Sequence, residues 1–387
     1  MKTKLKLLGF LSLLMLVSSI DFVQASARGA AAVPTATTPI TSGLEIMFYN
    51  VLNLFDTVHR DGKDDWTFLP FDYTGKEEHC AAINVPYYRK ECKETNWTES
   101  RFYLKLNQIK EVILRERHYL PDVLGLAEVE SEESVRELAR TLGYDHYVVS
   151  DSPDERGINV ALLFNEKRGL QYVDYLEHRV EGDWFDSKPT RNILEVQFKV
   201  AGEYPLSIFV NHWPSQSNPT DARMTASKLL QSVITERLSE NSQHRIVSIG
   251  DFNTTPTEKP NPIDSLLASK SMKSAYLVDM QESYIRNSRC NQRILNPGSY
   301  YYKKDRAWNR LDKILVSTNA VVALATASTK TIKGLMATPC SFAIYKPDFI
   351  TTNYRGIKIP RGYNFNADEA NEAGYSDHLP VLFKMQY

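Results

Sequence analysis

Several short apolar stretches of this chain end in residues that an apolar core would expel. The stretch Ile46 to Tyr49 runs into Asn50, with Asn53 three residues on. Val123-Leu124-Gly125-Leu126-Ala127 runs into Glu128. Ile208-Phe209-Val210 runs into Asn211-His212-Trp213, and Ile246-Val247-Ser248-Ile249 into Gly250-Asp251-Phe252-Asn253. Near the C-terminus Arg310-Leu311-Asp312 and Ser376-Asp377-His378-Leu379-Pro380 each lead into a strand. One buried, unpaired carboxylate is costly, and several are tolerated only where a cation or mutual hydrogen bonds compensate. The pattern therefore predicts strand ends that converge, from one edge of a sheet, on a single polar site. Carboxylates, two imidazoles and two or three amides gathered there describe a hard-cation site. Oxygen ligands suit Mg²⁺, Mn²⁺ or Ca²⁺ better than Zn²⁺.

The rest of the chain supports a fold of strands and helices. Glu45 to Val51, Asp122 to Ala127, Tyr144 to Val149, Asn159 to Phe164 and Ile193 to Val200 read as strands. So do Leu206 to Val210, Ile246 to Ile249, Lys313 to Val316 and Val381 to Lys384. Arg101 to His118 carries Phe102, Leu106, Ile109, Val112 and Ile113 at helical spacing. Glu132 to Leu142, stopped by Gly143, and Asp221 to Leu238 are further helices. Many strands with helices between some of them indicate an α/β (α+β) domain. Thr57 to Thr98 fits neither period. It is aromatic and polar, holds Cys80 and Cys92, and is expected to be a disulfide-pinned insertion, functional or decorative.

The N-terminus reads as an export signal. Lys2, Lys4 and Lys6 form a basic start, Leu7 to Ile20 is uncharged, and Ala25-Ser26-Ala27 offers a cleavage site, so residues 1–27 are assigned as signal peptide. The apolar run of 14 residues is short for a bilayer span, and no stable membrane insertion is expected. Residues 28–42, rich in Ala, Thr and Pro, read as a flexible leader, and 43–387 as one catalytic domain. The expected location is periplasmic or extracellular, and the expected state a monomer. Without residues 1–27 the net charge is −3, because three lysines and Asp21 leave with them. A sequence-independent duplex binder usually carries a basic excess, so charge alone does not imply nucleic acid. Four cysteines in an exported chain suggest two disulfides, of which 80–92 with 290–340 is the simplest of three pairings. The sequence holds no His-Glu-x-x-His helix, no Walker phosphate loop and no Gly-x-Ser-x-Gly elbow, which weakens zinc peptidase, nucleotide-triphosphatase and serine hydrolase readings.

The ordered set Asn50, Glu128, Asn211-His212, Gly250-Asp251-Phe252-Asn253, Asp312 and Ser376-Asp377-His378 resembles the endonuclease/exonuclease/phosphatase family. That family includes pancreatic-type DNases, abasic-site endonucleases, sphingomyelinases and inositol polyphosphate 5-phosphatases. The likeness runs from about Glu45 to Phe383. The phrases Tyr49-Asn50-Val51-Leu52-Asn53-Leu54-Phe55-Asp56 and Asn211-His212-Trp213-Pro214-Ser215 resemble an exported bacterial subgroup, whose members often carry Glu where Leu52 stands. The resemblance implies a DNase-I-like four-layer α/β/β/α sandwich, with two mixed β-sheets face to face and helices outside. It also implies a metal-dependent phosphoric ester hydrolase using Mg²⁺ (or Mn²⁺ or Ca²⁺). Carried over by position, it makes Glu128 the principal metal ligand, helped by Asn50 and Asp377. Asp251 would orient or deprotonate the attacking water, and Asn253 would donate to a phosphate oxygen or the nucleophile. His378, held in its tautomer by Asp312, would contact the scissile phosphate, and His212 would assist the leaving group from the other side. Arg191 would bind phosphate.

Trp213, beside His212, is placed either to stack on a substrate or to fill the core. Tyr284 to Trp308 interleaves cations and rings, including Arg286, Arg289, Arg293, Lys303, Lys304 and Arg306, which suits single-stranded nucleic acid or a lipid or sugar phosphate. The leading expectation is a phosphodiesterase or nuclease acting on a phosphoester substrate, nucleic acid among them. The alternative is a phosphatase or sphingomyelinase-type phospholipase acting on inositol or lipid phosphates. Such a phospholipase calls for an exposed apolar hairpin, for which Ser341 to Tyr345 is the candidate.

Overall fold

The computed structural model describes residues 43–267, 277–321 and 334–387. The expected signal over 1–27 and the leader over 28–42 lie outside the described residues. The strands that carry the fold are β1 (Gly43–Leu54), β2 (Val123–Val129), β3 (His146–Val149), β4 (Asn159–Phe164), β5 (Leu170–His178) and β6 (Ile193–Val200). They continue with β7 (Tyr204–His212), β8 (Arg245–Asp251), β9 (Leu277–Asp279), β10 (Tyr300–Tyr302), β11 (Ala307–Asn309) and β12 (Asp312–Ser317). The last are β13 (Met336–Ala337), β14 (Ala343–Ile344), β15 (Thr351–Tyr354), β16 (Ile357–Pro360) and β17 (Val381–Gln386). The helices are α1 (Lys76–Ala82), α2 (Pro86–Glu94), α3 (Glu99–Leu114), α4 (Glu132–Leu142), α5 (Thr220–Glu240), α6 (Met280–Arg286) and α7 (Ala370–Ala373).

Two sheets dominate. One has the order β13-β17-β1-β2-β4-β3, with β14 also on β17, and the other the order β5-β6-β7-β8-β12-β9. Each contains one parallel pair, β1 with β2 and β7 with β8, flanked by antiparallel neighbours. Strands covered on both faces read as continuous apolar runs, and β4 and β8 are buried along their whole length. Phe48, Leu124 and Leu126 of the first sheet share one core with Ile208, Val210, Val247, Ile249 and Ile314 of the second. Gly125 makes room in β2 for that packing, since a Cβ there would stand 2.5 Å from Ile249 Cδ1.

Helices close both outer faces. The apolar stripes of α3 (Phe102, Leu106, Ile109, Val112, Ile113) and α4 (Val135, Leu138, Leu142) join the same core. α4 is delimited as its sequence indicates. Ser131 and Ser134 exchange capping hydrogen bonds at its start, and Gly143 ends it with φ 91°. On the other side α5 lays Ala222, Ala226, Leu230 and Ile234 against Phe209, Ile246 and Leu315. The result is the four-layer α/β/β/α arrangement of two mixed sheets.

The insertion over 57–98 is pinned by Cys80–Cys92 as expected, and that bond joins α1 to α2, two helices that form within it. Their buried faces consist of Lys76 and Cys80 in one and Cys92 in the other, too little for a readable period. β5 is an added edge strand whose Tyr172, Val173, Tyr175 and Leu176 are exposed. Ser341 to Tyr345 is no free apolar hairpin, since Ala343 and Ile344 pair with β17 and Phe342 is buried. The second disulfide, Cys290–Cys340, completes the simplest pairing. Among the described residues no helix is long and apolar enough to cross a membrane.

The sheets bring the polar strand ends together. His212 lies opposite Asp251 in the β7–β8 register, and Asp251 opposite Asp312 in β8–β12. Gly250 makes the first contact possible. Its φ is 155°, and a Cβ would stand 2.3 Å from the Asn211 carbonyl oxygen. Gly250→Ala is therefore expected to cost about 2–4 kcal/mol, the scale of a forced backbone shift. Urea denaturation would show it, and an unchanged midpoint would contradict this account of the strand end.

Candidate active site

One amide links the two sheets at their polar edge. Asn50 Nδ2, at the end of β1, donates to Glu128 Oε1 at 3.1 Å and to Asp251 Oδ2 at 3.2 Å. Its Oδ1 accepts from the Leu52 backbone N–H at 3.0 Å. Asn50 thus presents N–H rather than oxygen to the carboxylates, and a ligand role would need the amide turned over. The backbone around this junction is strained. Leu52, Asn53, Glu128 and Asn253 all have left-handed φ, between 50° and 62°. Such conformations are rare for residues with a Cβ, and they collect where surrounding structure holds side chains in place for chemistry.

Two histidines flank Asp251. His378 Nε2 and His212 Nε2 each lie 3.9 Å from Asp251 Oδ2, and His212 Nε2 lies 3.8 Å from Glu128 Oε1. His378 Nδ1 pairs with Asp312 Oδ2 at 2.7 Å. Ser376 fixes the turn that carries His378. Its hydroxyl donates to the Asn50 carbonyl at 2.8 Å and accepts from the His378 N–H at 3.1 Å. The Tyr300 ring lies 4.9 Å from the His378 ring.

Their environments drive these groups apart. Burial works against a charged His378, but the charge and hydrogen bond of Asp312, with Asp377 and Asp251, hold it well above its ordinary range. Burial pushes His212 well below that range, with Arg191, Arg156 and His378 adding to the effect. His378 is therefore the charged imidazole and His212 the neutral one. Asp251 is pushed up to about 7, first by burial and then by Asp312 and Glu128, against the pull of His378. Burial and Asp377 also raise Glu128.

The donor set fits a hard cation. Asp251, Asp312 and His378 offer atoms within 4.8 Å of one another. The His378–Asp312 hydrogen bond already occupies one side of that trio, which leaves Asp251 and the neighbouring Glu128 as the open carboxylates. Buried oxygens without a hydrogen-bond partner face the same problem: Asp377 Oδ1, Asn53 Oδ1 and Asp312 Oδ1. Strained acids, orphaned oxygens and no thiolate nearby match an oxygen-seeking divalent ion.

Not every residue read from the sequence arrives there with the expected role. Trp213 is 1 % exposed, donates from Nε1 to Asn211 Oδ1 and meets the Phe252 ring edge-on at 4.8 Å. It fills the core under α5 and is not available for stacking. Arg191 is buried and committed to protein. It donates to the His212 carbonyl at 3.0 Å and the Trp213 carbonyl at 2.7 Å, and pairs with Asp154 at 3.3 Å. It braces the end of β7 rather than offering a free fork. Asn253 Nδ2 donates to the Trp213 carbonyl at 3.0 Å, while its N–H binds Asp251 Oδ1 at 2.9 Å.

Sequence reasoning missed an exposed guanidinium whose charge reaches the site. Arg156 is held by Asp154 at 3.2 Å, its side chain is 54 % exposed, and its charge acts on Glu128 and His212. The signal was the charged run Asp154-Glu155-Arg156-Gly157 directly before the buried strand β4. Tyr300 was missed as well, having been read only as part of a basic, aromatic stretch.

The sequence matches the Endonuclease/Exonuclease/phosphatase family over residues 45–387. No curated protein matches it. Among solved structures, the chain is similar to the endonuclease/exonuclease/phosphatase from Bacteroides vulgatus at 13% identity and TM-score 0.51, covering 89% of this chain and 98% of that one. It is similar to a Bacteroides thetaiotaomicron mannosyl-6-phosphatase at 15% identity and TM-score 0.49, over 89% and 100% of the two chains. Its likeness to the human nocturnin catalytic domain with bound sulfate anion has 16% identity and TM-score 0.49, over 90% and 95%. At 13% identity the likeness to the Bacteroides vulgatus structure concerns the fold alone.

A metal-free measurement tests the electrostatics. An acid whose folded pKa lies at about 7, against an ordinary 3.8, keeps a proton that the unfolded chain has already released. Asp251 therefore subtracts stability as pH rises from about 4 to about 7. In EDTA at about pH 8, Asp251→Asn is expected to raise Tm by ~1–2 °C, the shift of roughly 1 kcal/mol in a domain larger than about 300 residues. The gain should vanish near pH 4, and a lower Tm at both pH values would refute the assignment.

Proposed function

The chain belongs to the endonuclease/exonuclease/phosphatase family, and from that premise we propose that it is an exported, divalent-metal-dependent phosphodiesterase that hydrolyses nucleic-acid phosphodiesters. One arrangement carries the reading: the buried Asp251 carboxylate has the Nε2 of His378 and of His212 each at 3.9 Å, with its own pKa pushed up by burial, that of His378 raised and that of His212 lowered. Pairs of groups tuned in opposite directions mark acid and base roles. Asp251, once ionised, accepts the proton of the attacking water. His378, kept charged by Asp312, donates from Nε2 to a non-bridging phosphate oxygen, where negative charge grows. His212 is neutral and offers a hydrogen bond on the far side of Asp251, toward the leaving oxygen. Asn253 holds Asp251 through its backbone N–H and leaves one amide hydrogen for phosphate. Glu128, with Asp377 and the Asn50 amide beside it, would hold Mg²⁺ (or Mn²⁺ or Ca²⁺). That ion, when bound, neutralises phosphate charge. Arg156 is the exposed cation best placed to meet a phosphate at the rim.

The substrate class rests on the hairpin of β10 and β11. It sets Tyr300 beside His378 and carries Tyr302, Lys303, Lys304 and Arg306 exposed next to it. Rings and cations in alternation suit a single strand that extends beyond the scissile phosphate. Export is supported by the N-terminal pattern and by two disulfides, which suit an oxidising compartment.

A panel of plasmid DNA, RNA, sphingomyelin, inositol phosphates and a bis-aryl phosphate, with Mg²⁺, Mn²⁺, Ca²⁺ or EDTA, decides the matter. Cleavage of nucleic acid that EDTA abolishes is expected. Preference for sphingomyelin or an inositol phosphate would replace this reading with the phospholipase or phosphatase alternative. Asp251→Asn and His378→Ala are each expected to lower kcat at least ~100-fold, the scale of a general acid or base. Full activity in folded Asp251→Asn would sink its role.

A further inference from the structure

Helix α3 covers the first sheet with an apolar stripe, yet three polar side chains interrupt it. Arg101, Lys105 and Gln108 follow one another at spacings of four and three, so they share a helix face. All three reach the segment that leads into Ser376-Asp377-His378. Arg101 grips Asp368 through Nε at 2.7 Å and Nη2 at 3.1 Å. Gln108 Nε2 donates to the Gly374 carbonyl at 2.8 Å and the Ala370 carbonyl at 3.1 Å.

Lys105 stands between them and is 0 % exposed. Its Nζ donates to the Leu52 carbonyl at 3.2 Å and the Tyr375 carbonyl at 3.1 Å, and lies 3.9 Å from the centre of the Tyr363 ring. Two carbonyls and one π face account for the three N–H directions of an ammonium. Among the described residues no carboxylate lies within ion-pair distance of it. Burying an amine in this way is costly, and burial pulls its pKa down to about 7, against the charges of Glu128 and Asp377, which raise it. The two carbonyls it joins explain what that burial achieves. Leu52 is two residues past Asn50, in a left-handed conformation that a leucine resists. Tyr375 is two residues before Asp377. Lys105 thus joins the backbone two residues past Asn50 to the backbone two residues before Asp377.

We propose that Lys105 is a positioning residue for the divalent-cation site, clamping the backbones of Leu52 and Tyr375 so that Asn50 and Asp377 face Glu128 at ligand spacing. This rests on the metal-dependent reading above. The sign of the effect separates the clamp from other roles. A nearby positive charge repels a cation, so removing it by electrostatics alone would tighten metal binding. Loss of a clamp loosens it, by ~10–100-fold for groups that orient metal ligands.

The test is Mn²⁺ binding to the full chain without substrate, by calorimetry and by electron paramagnetic resonance. Lys105→Met, which keeps the length and loses the donors, is expected to weaken Mn²⁺ binding ~10–100-fold. Lys110→Met, which removes the same charge from the exposed side of α3, should leave it unchanged. Unchanged or tighter binding in folded Lys105→Met overturns the proposal. Should that variant fail to fold, Gln108→Met loosens the same segment without touching Leu52, and is expected to weaken binding several-fold. Wild-type affinity in folded Gln108→Met overturns the proposal equally. Glu128→Gln distinguishes the two layers of the argument. If wild type binds Mn²⁺ and Glu128→Gln does not, only the clamp is at stake. If wild type binds no Mn²⁺, the metal-dependent reading fails and the clamp with it.

Discussion

The hydrogen bonds from one Asn50 amide to Glu128 and Asp251 are the point on which the two halves of the sandwich agree. Each sheet has its own parallel pair and its own row of apolar side chains, and face-to-face packing alone would tolerate some sliding. A donor shared by one carboxylate from each sheet does not, because a shift of about an ångström breaks one of its two hydrogen bonds. The left-handed residues sit around this junction for the same reason. Leu52, Asn53 and Glu128 hold conformations that an ordinary strand end would relax, and the surrounding core keeps them there.

From that junction the electrostatics follow with few further parts. Asp312 lies across from Asp251 in the sheet but turns its own oxygen to His378, so one acid is consumed in charging an imidazole and the other stays free to exchange a proton. Burial first, and then the positive charge of Arg191 and Arg156, both tied to Asp154, hold His212 well below its ordinary range. The protonation of these three groups thus follows from burial and from neighbours along the same sheet edge, not from the chemistry of any side chain alone.

Much of this was legible in the order of residues because burial penalises charge. A carboxylate or imidazole straight after an apolar strand is costly unless it has a purpose, so Asn50, Glu128, His212, Asp251, Asp312 and His378 stood out together. The direction in which a side chain points was not legible. Trp213 follows His212 in the chain but turns into the core under α5, and Arg191 spends its donors on backbone carbonyls that no sequence pattern displays. Lys105 was hidden by its company, since a lysine between Phe102 and Leu106 looks like a solvated neighbour of an apolar stripe. β5 lacked a signal because both of its faces are largely exposed and impose no alternation, and α1 and α2 are too short to show a period.

The two disulfides differ in reach. Cys80–Cys92 closes a loop of 12 residues and staples α1 to α2, so its influence is local. Cys290–Cys340 spans 50 residues and brackets β12, the strand that begins with the histidine's partner, Asp312. In the chain-entropy account a loop of that length removes roughly 4 kcal/mol of freedom from the denatured chain. An oxidised polypeptide therefore begins its search for the native state with the two segments that flank β12 already joined. A reduced one must close that distance by diffusion, and the ambient redox potential becomes a determinant of how readily the hydrolytic centre assembles.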